Sequence, residues 1–148
     1  MPPQLINRAQ FLEAIVAKAI FRFATPELNT ITPHFFICIV VQPDDIVVLS
    51  CCTSQYQTVK RIIAKNRFPA STQVLIDPSD PANPFNRETY INCNEYFPFG
   101  IDELMDLYDK SLIEYWGALP EHSFHEIIQG FLDSPQIEEE LKELLNAM

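Results

Sequence analysis

Residues 34–55 read HFFICIVVQPDDIVVLSCCTSQ. His34–Val41 and Ile46–Cys52 are β-branched, aromatic and almost continuously apolar, which is strand composition. Only Gln42-Pro43-Asp44-Asp45 separates them. A four-residue join of this kind predicts a tight turn and an antiparallel hairpin.

On the C-terminal side, QYQTVKRIIAKN (55–66) has helical spacing, with Val59, Ile62 and Ile63 inward and Lys60, Arg61 and Lys65 outward. A third strand is expected over about Thr72–Asp77. The proline-rich loop DPSDPANPF follows, and then a fourth strand over Glu88–Cys93. On the N-terminal side, Asn7 suits an N-cap. Phe11, Leu12, Ile15, Val16, Ala19, Ile20 and Phe23 recur every three or four residues, predicting one amphipathic helix that Thr25-Pro26 ends. A turn-rich connection through Asn29 and Pro33 leads to the hairpin.

The last third reads as helical. Ile101–Trp116 places Leu104, Met105, Tyr108, Leu112 and Tyr115 on one stripe, and Gly117 stops it. A second helix is expected from Ser123, with Glu126 completing a capping box, to Leu132. A third has Ser134 as N-cap and Pro135 at its first position, with Ile137, Leu141, Leu144, Leu145 and Met148 on one face. The strands cluster instead of alternating with helices, so the class is α+β. The segments are 1–33, an N-terminal helix and connection; 34–100, a β core; and 101–148, an acidic three-helix extension.

At 148 residues, with 47% hydrophobic and 20% charged residues, the chain is long and apolar enough to bury a real core. Its net charge of −10 argues against bulk affinity for nucleic acid. The charge is uneven: residues 101–148 carry twelve acids against two bases, while residues 34–100 are close to neutral. No apolar run approaches the roughly 20 residues of a membrane span. The first 25 residues lack the basic start, apolar middle and small-residue exit of a cleavable leader, so a cytoplasmic protein without membrane contact is expected.

Cys38, Cys51, Cys52 and Cys93 all fall on expected strands, and none forms a Cys-x-x-Cys pair. Adjacent Cys51 and Cys52 point to opposite faces of a strand and are poorly placed to share a zinc ion, so four reduced core cysteines are expected. His122 and His125 supply only two potential ligands at a helix start, and no metal site is expected there. Gly-x-Ser-x-Gly, Walker, Rossmann and His-Glu-x-x-His patterns are all missing, which removes support for hydrolase elbows, nucleotide cofactors and zinc proteases.

One segment stands out electrostatically. Between Asp45 and Asp77 there is no acid, yet Lys60, Arg61, Lys65 and Arg67 lie there beside Tyr56 and Phe68, after Thr53-Ser54. Cations, flanking aromatics and hydroxyls suit a phosphate backbone with stacking platforms. The alternative is a solvated helix face that happens to be basic. The acidic tail also has two readings: the outer face of terminal helices, or a cover over the basic segment. His34 is either a general base or a residue that merely begins a strand.

The hairpin, together with NPFNRETYINCNE at 83–95, resembles the MazF/PemK-like toxins over about residues 34–95. The resemblance implies a small SH3-like β-barrel, or a strongly bent antiparallel sheet, here with an N-terminal helix and an acidic helical extension. It also implies a homodimer that cleaves single-stranded RNA without metal or other cofactor, and a cognate antitoxin that blocks the groove with an acidic segment. Thr53 matches the family's hydroxyl at the end of the second strand, and His34 falls near the expected position of the catalytic arginine. The chemistry then uses His34 as base or acid, Arg61 or Arg87 as an electrostatic clamp and Thr53 on a phosphate oxygen. Tyr56, Lys60, Lys65, Arg67 and Arg87 would bind RNA. The competing expectation is a non-catalytic, antitoxin- or immunity-like module that binds a partner through the acidic tail.

Overall fold

The structure, a computed structural model, describes residues 3–28 and 30–148; the turn expected at Asn29 lies outside them. The class is α+β. Seven strands form one antiparallel sheet that is not closed into a barrel. They are β1 (Ala19–Phe23), β2 (His34–Val41), β3 (Ile46–Thr53), β4 (Gln73–Ile76), β5 (Thr89–Asn92), β6 (Phe97–Gly100) and β7 (Ile113–Ala118). The order is β4-β5-β3-β2-β1-β7, with β6 beside the first half of β3 and β5 beside its end. Register shifts between Cys38 and Val40, and between Ala19 and Phe21, mark bulges of the kind that increase local twist.

Helices cover both faces, and alternation along the strands decides which residue meets which layer. Helices α1 (Arg8–Ala14) and α3 (Ile101–Asp109) pack with Phe21, Phe23, Phe36, Cys38, Val47 and Leu49. Helices α4 (Glu121–Asp133) and α5 (Glu139–Asn146) pack with Ile20, Ile37, Ile39, Val48 and Cys52 on the other face. Helix α2 (Tyr56–Asn66) sits to one side, where Val59 and Ile63 meet Tyr90 of β5. The strands are apolar at consecutive positions because neither face is left to water. Cys51 and Cys52 diverge as alternation requires, Cys51 toward the α1/α3 layer and Cys52 into the α4/α5 layer.

The hairpin, α2, β4 and β5 lie where their composition put them, although Ile62 is half exposed instead of inward. Both ends of the chain differ from expectation. The N-terminal helix begins as expected at Asn7, whose side chain accepts from Gln10 N while Gln10 Oε1 accepts from Asn7 N, both at 2.8 Å. It stops at Ala14. Lys18 then takes a left-handed backbone (φ 79°), and Ala19–Phe23 enters the sheet between β2 and β7. A strand buried on both faces shows the same dense apolar content as a helical stripe, and five residues are too few to separate the two periods.

The same ambiguity recurs after Ile101. The helix ends at Asp109, Ser111 turns with φ 59°, and Ile113–Ala118 is an edge strand, with Gly117 inside it at φ 89°. Helix α4 starts at Glu121 behind Pro120, so Ser123 lies within it and donates to Asn83 instead of capping. Ser134 follows α4, where its Oγ donates to Asn94 Oδ1 at 2.7 Å and accepts from Gln136 N at 3.1 Å; α5 begins only at Glu139. On that last helix Leu141 and Leu145 are buried, whereas Met148 beyond it is exposed. Because β1 and β7 flank the hairpin's sheet, segments 1–33, 34–100 and 101–148 share one sheet. No helix among the described residues is long and apolar enough to cross a membrane.

Candidate functional site

Five polar side chains meet where β1 and β3 end and β2 begins, beside the β4–β5 loop. Antiparallel pairing puts the end of β1 against the start of β2, with Arg22 opposite Phe35 and Phe23 opposite His34. The end of β3 arrives on the far side, with Thr53 opposite Tyr90 of β5. The loop leading into β5 contributes Phe85, Asn86 and Arg87. Together these line a cleft of about 420 Å³ that contains Arg22, His34, Thr53, Ser54 and Arg87.

The geometry assigns a proton to each group that matters. His34 Nδ1 lies 2.9 Å from the Thr32 carbonyl oxygen. A carbonyl only accepts, so Nδ1 carries hydrogen, and in the neutral ring Nε2 is left as an acceptor. Thr53 Oγ1 accepts from Gln55 N at 3.1 Å, which leaves its O–H to donate. Arg22 is half-buried, ion-paired to Glu114 of β7 at 3.2 Å and set 5.8 Å from the Phe35 ring centroid. Arg87 is exposed, and among the described residues no ion pair engages it. Cys52, behind the cleft, is buried, and burial holds its thiol well above the usual range.

The cleft thus unites three residues expected from sequence, His34, Thr53 and Arg87, and leaves out Arg61. Arg61 is exposed on α2 with Lys60 and Lys65; Arg67 follows in a left-handed conformation at the helix end (φ 57°). Tyr56 opens that helix, its ring 5.0 Å from Tyr90 and 5.6 Å from Lys60 Nζ. Phe68 packs with Val59, Ile63 and Tyr90 instead of standing free. Tyr90 donates to Glu88 at 2.7 Å, and that carboxylate, chiefly, pushes the phenol up to about 12. Helix α2 continues from Thr53-Ser54-Gln55, so the basic helix and the cleft adjoin.

Arg22 is the residue that sequence reading missed. Read within a helix, it has no spatial relation to His34; the sequence cue is the single cation that interrupts the apolar run AIFRF. The acids of the C-terminal third do not pair with α2 among the described residues. Their contacts run elsewhere: Glu121 to Lys18, Asp109 to Arg8, Glu114 to Arg22 and Asp106 to Lys110. The chain matches no family model and no curated protein.

Proposed function

We propose that the protein is a toxin-like endoribonuclease module of the MazF/PemK type, acting on single-stranded RNA in the cleft between β1, β2 and β3. The observation that carries this reading is the His34 Nδ1–Thr32 contact at 2.9 Å, which leaves Nε2 of the neutral ring as an acceptor in a cleft that also holds Arg22, Thr53 and Arg87.

In the proposed reaction His34 Nε2 takes the proton of an RNA 2′-hydroxyl. The 2′-oxygen bonds to phosphorus while the bond to the 5′-oxygen breaks on the opposite side, where a solvent water supplies the proton to the leaving oxygen and the His34 proton passes to solvent. The products are a 2′,3′-cyclic phosphate and a 5′-hydroxyl. Arg87 and Arg22 neutralise charge on the pentacoordinate phosphorus, and the Thr53 hydroxyl donates to a non-bridging oxygen. Lys60, Arg61, Lys65 and Arg67 guide the flanking strand along α2 by charge, with Tyr56 as a stacking surface. The protein would act in the cytoplasm as a homodimer, and a cognate antitoxin would cover the same cations with an acidic segment.

The test is cleavage of single-stranded RNA in chelator, comparing wild type with His34→Ala. Wild type should give fragments ending in cyclic phosphate, and the variant should be slower by about 10²–10⁴-fold. Intact RNA with wild type, or equal cleavage by both, would overturn the reading.

A second reading is a non-catalytic inhibitor that binds its partner through the acidic tail. It is favoured by Glu138, Glu139, Glu140 and Glu143, which remain exposed after α4 and α5 have buried their apolar faces. Growth arrest with RNA fragmentation on induced expression supports the first reading; normal growth with intact RNA supports the second.

A further inference from the structure

We propose that the loop 77–88 is the base-reading element of this cleft: an unstacked nucleobase lies against the Phe35–Phe85 wall, and the Asn86 carboxamide hydrogen-bonds its edge. The proposal rests on the single-stranded RNA reading and adds to it where sequence preference comes from.

The loop is a twelve-residue connection between Ile76 and Thr89, at the length where connections without secondary structure usually carry function. It is braced from within. Asp77 Oδ1 accepts from Ser79 N at 2.8 Å, Asp80 Oδ1 accepts from Ala82 N at 2.9 Å, and Asn83 Nδ2 donates to the Asp77 carbonyl at 3.0 Å. It is also latched to the start of α4, where His122 Nε2 donates to Asp80 Oδ2 at 2.6 Å and Ser123 Oγ donates to Asn83 Oδ1 at 2.8 Å. These bonds fix a segment whose last residues face the cleft, and a reading group needs such a held support.

The tip has the parts for reading a base. Phe85 meets Phe35 edge-on at 5.1 Å; Trp116 backs Phe35 at 4.9 Å, and the two cleft-lining phenyl rings are only half-buried. Asn86 is exposed, and no hydrogen bond among the described residues engages its carboxamide, which offers both a donor and an acceptor. Single-stranded RNA is read by stacking splayed bases on aromatic rings and hydrogen-bonding their edges. Arg87, the next residue, is placed for the adjoining phosphate. A cleft of about 420 Å³ falls within the range of small-ligand sites.

The experiment measures binding of the full chain to four fluorescein-labelled RNA octamers, uridine throughout except for one central base. Wild type should favour one base by on the order of 10-fold. Asn86→Ala, on the surface, should reduce that preference to near parity with binding retained. Asp80→Asn, which loosens the latch, should weaken the preference while leaving the salt dependence of binding unchanged, because phosphate contacts set the salt slope. Binding without base preference in wild type, or the wild-type preference in Asn86→Ala, would overturn the reading loop alone. Failure of wild type to bind any octamer would overturn the RNA reading together with it.

Discussion

Gly130 of α4 lies directly over Cys93: a Cβ on Gly130 would stand 2.7 Å from the Cys93 Sγ and 2.9 Å from the Ser71 carbonyl oxygen. The contact is closed further by the Cys93 thiol, which donates to the Ile127 carbonyl one turn earlier at 3.6 Å. Glycine here sets how near α4 approaches the end of β5. In an exposed helix interior, replacing glycine by alanine stabilises by about 1 kcal/mol. At this position the sign reverses, and Gly130→Ala should cost about 1–3 kcal/mol through overpacking. Urea unfolding measures it; a more stable variant would mean that α4 sits further from the sheet.

Leu141 tests whether the acidic tail belongs to the core. It is 1% exposed and packs in the layer formed by Ile127, Phe131, Ile137 and the sheet. Truncation to alanine should cost about 2–5 kcal/mol, the range for a buried leucine whose cavity only partly collapses. A near-neutral Leu141→Ala in thermal or urea unfolding would mean that α5 does not pack on the sheet of its own chain.

The thiols give a prediction about pH. Burial raises Cys38 to about 12, and burial with a smaller contribution from Glu95 does the same for Cys51; Cys52 and Cys93 are raised by burial as well. A raised thiol pKa means that the neutral S–H form dominates at pH 8, and only the thiolate reacts. Folded protein at pH 8 should therefore react with a disulfide reagent far more slowly than free cysteine, and unfolding in guanidinium should release four fast-reacting groups. A fast-reacting thiol in the folded chain would contradict the burial.

The middle of the chain was legible because local signals there agree. The Gln42–Asp45 turn, the amphipathic pattern of 55–66 and the prolines of 77–85 each point to the element the structure contains. Residues 19–23 and 113–118 were not legible: AIFRF and IEYWGA owe their state to partners far away in sequence, Arg22 lying opposite both Phe35 and Glu114. Tertiary pairing overrides a short helical spacing in such segments. The candidate site inherits the same split. His34 and Thr53 were readable as strand ends, whereas Arg22 becomes a neighbour of His34 only once β1 is a strand. Arg61 and Arg87 looked equivalent in sequence because one dimension cannot show that Arg87 lines the cleft and Arg61 does not.

That difference between the two arginines makes the last prediction. Arg87 lines the cleft and Arg61 does not. An interaction made with charge that develops at phosphorus appears in kcat, and losing one such donor typically costs about 10²–10³-fold. A cation that only tracks the strand appears in binding, where its loss lowers the salt slope by about one and weakens all sequences alike. Arg87→Ala should therefore lower kcat for RNA cleavage with the fold intact, while Arg61→Ala should raise KM and flatten the salt dependence with kcat near wild type. Single-turnover cleavage at two salt concentrations separates the cases. If Arg61→Ala lost kcat as severely as Arg87→Ala, the reacting phosphate would have to sit on α2, and His34, which lines the cleft with Arg87, would lose its role as base.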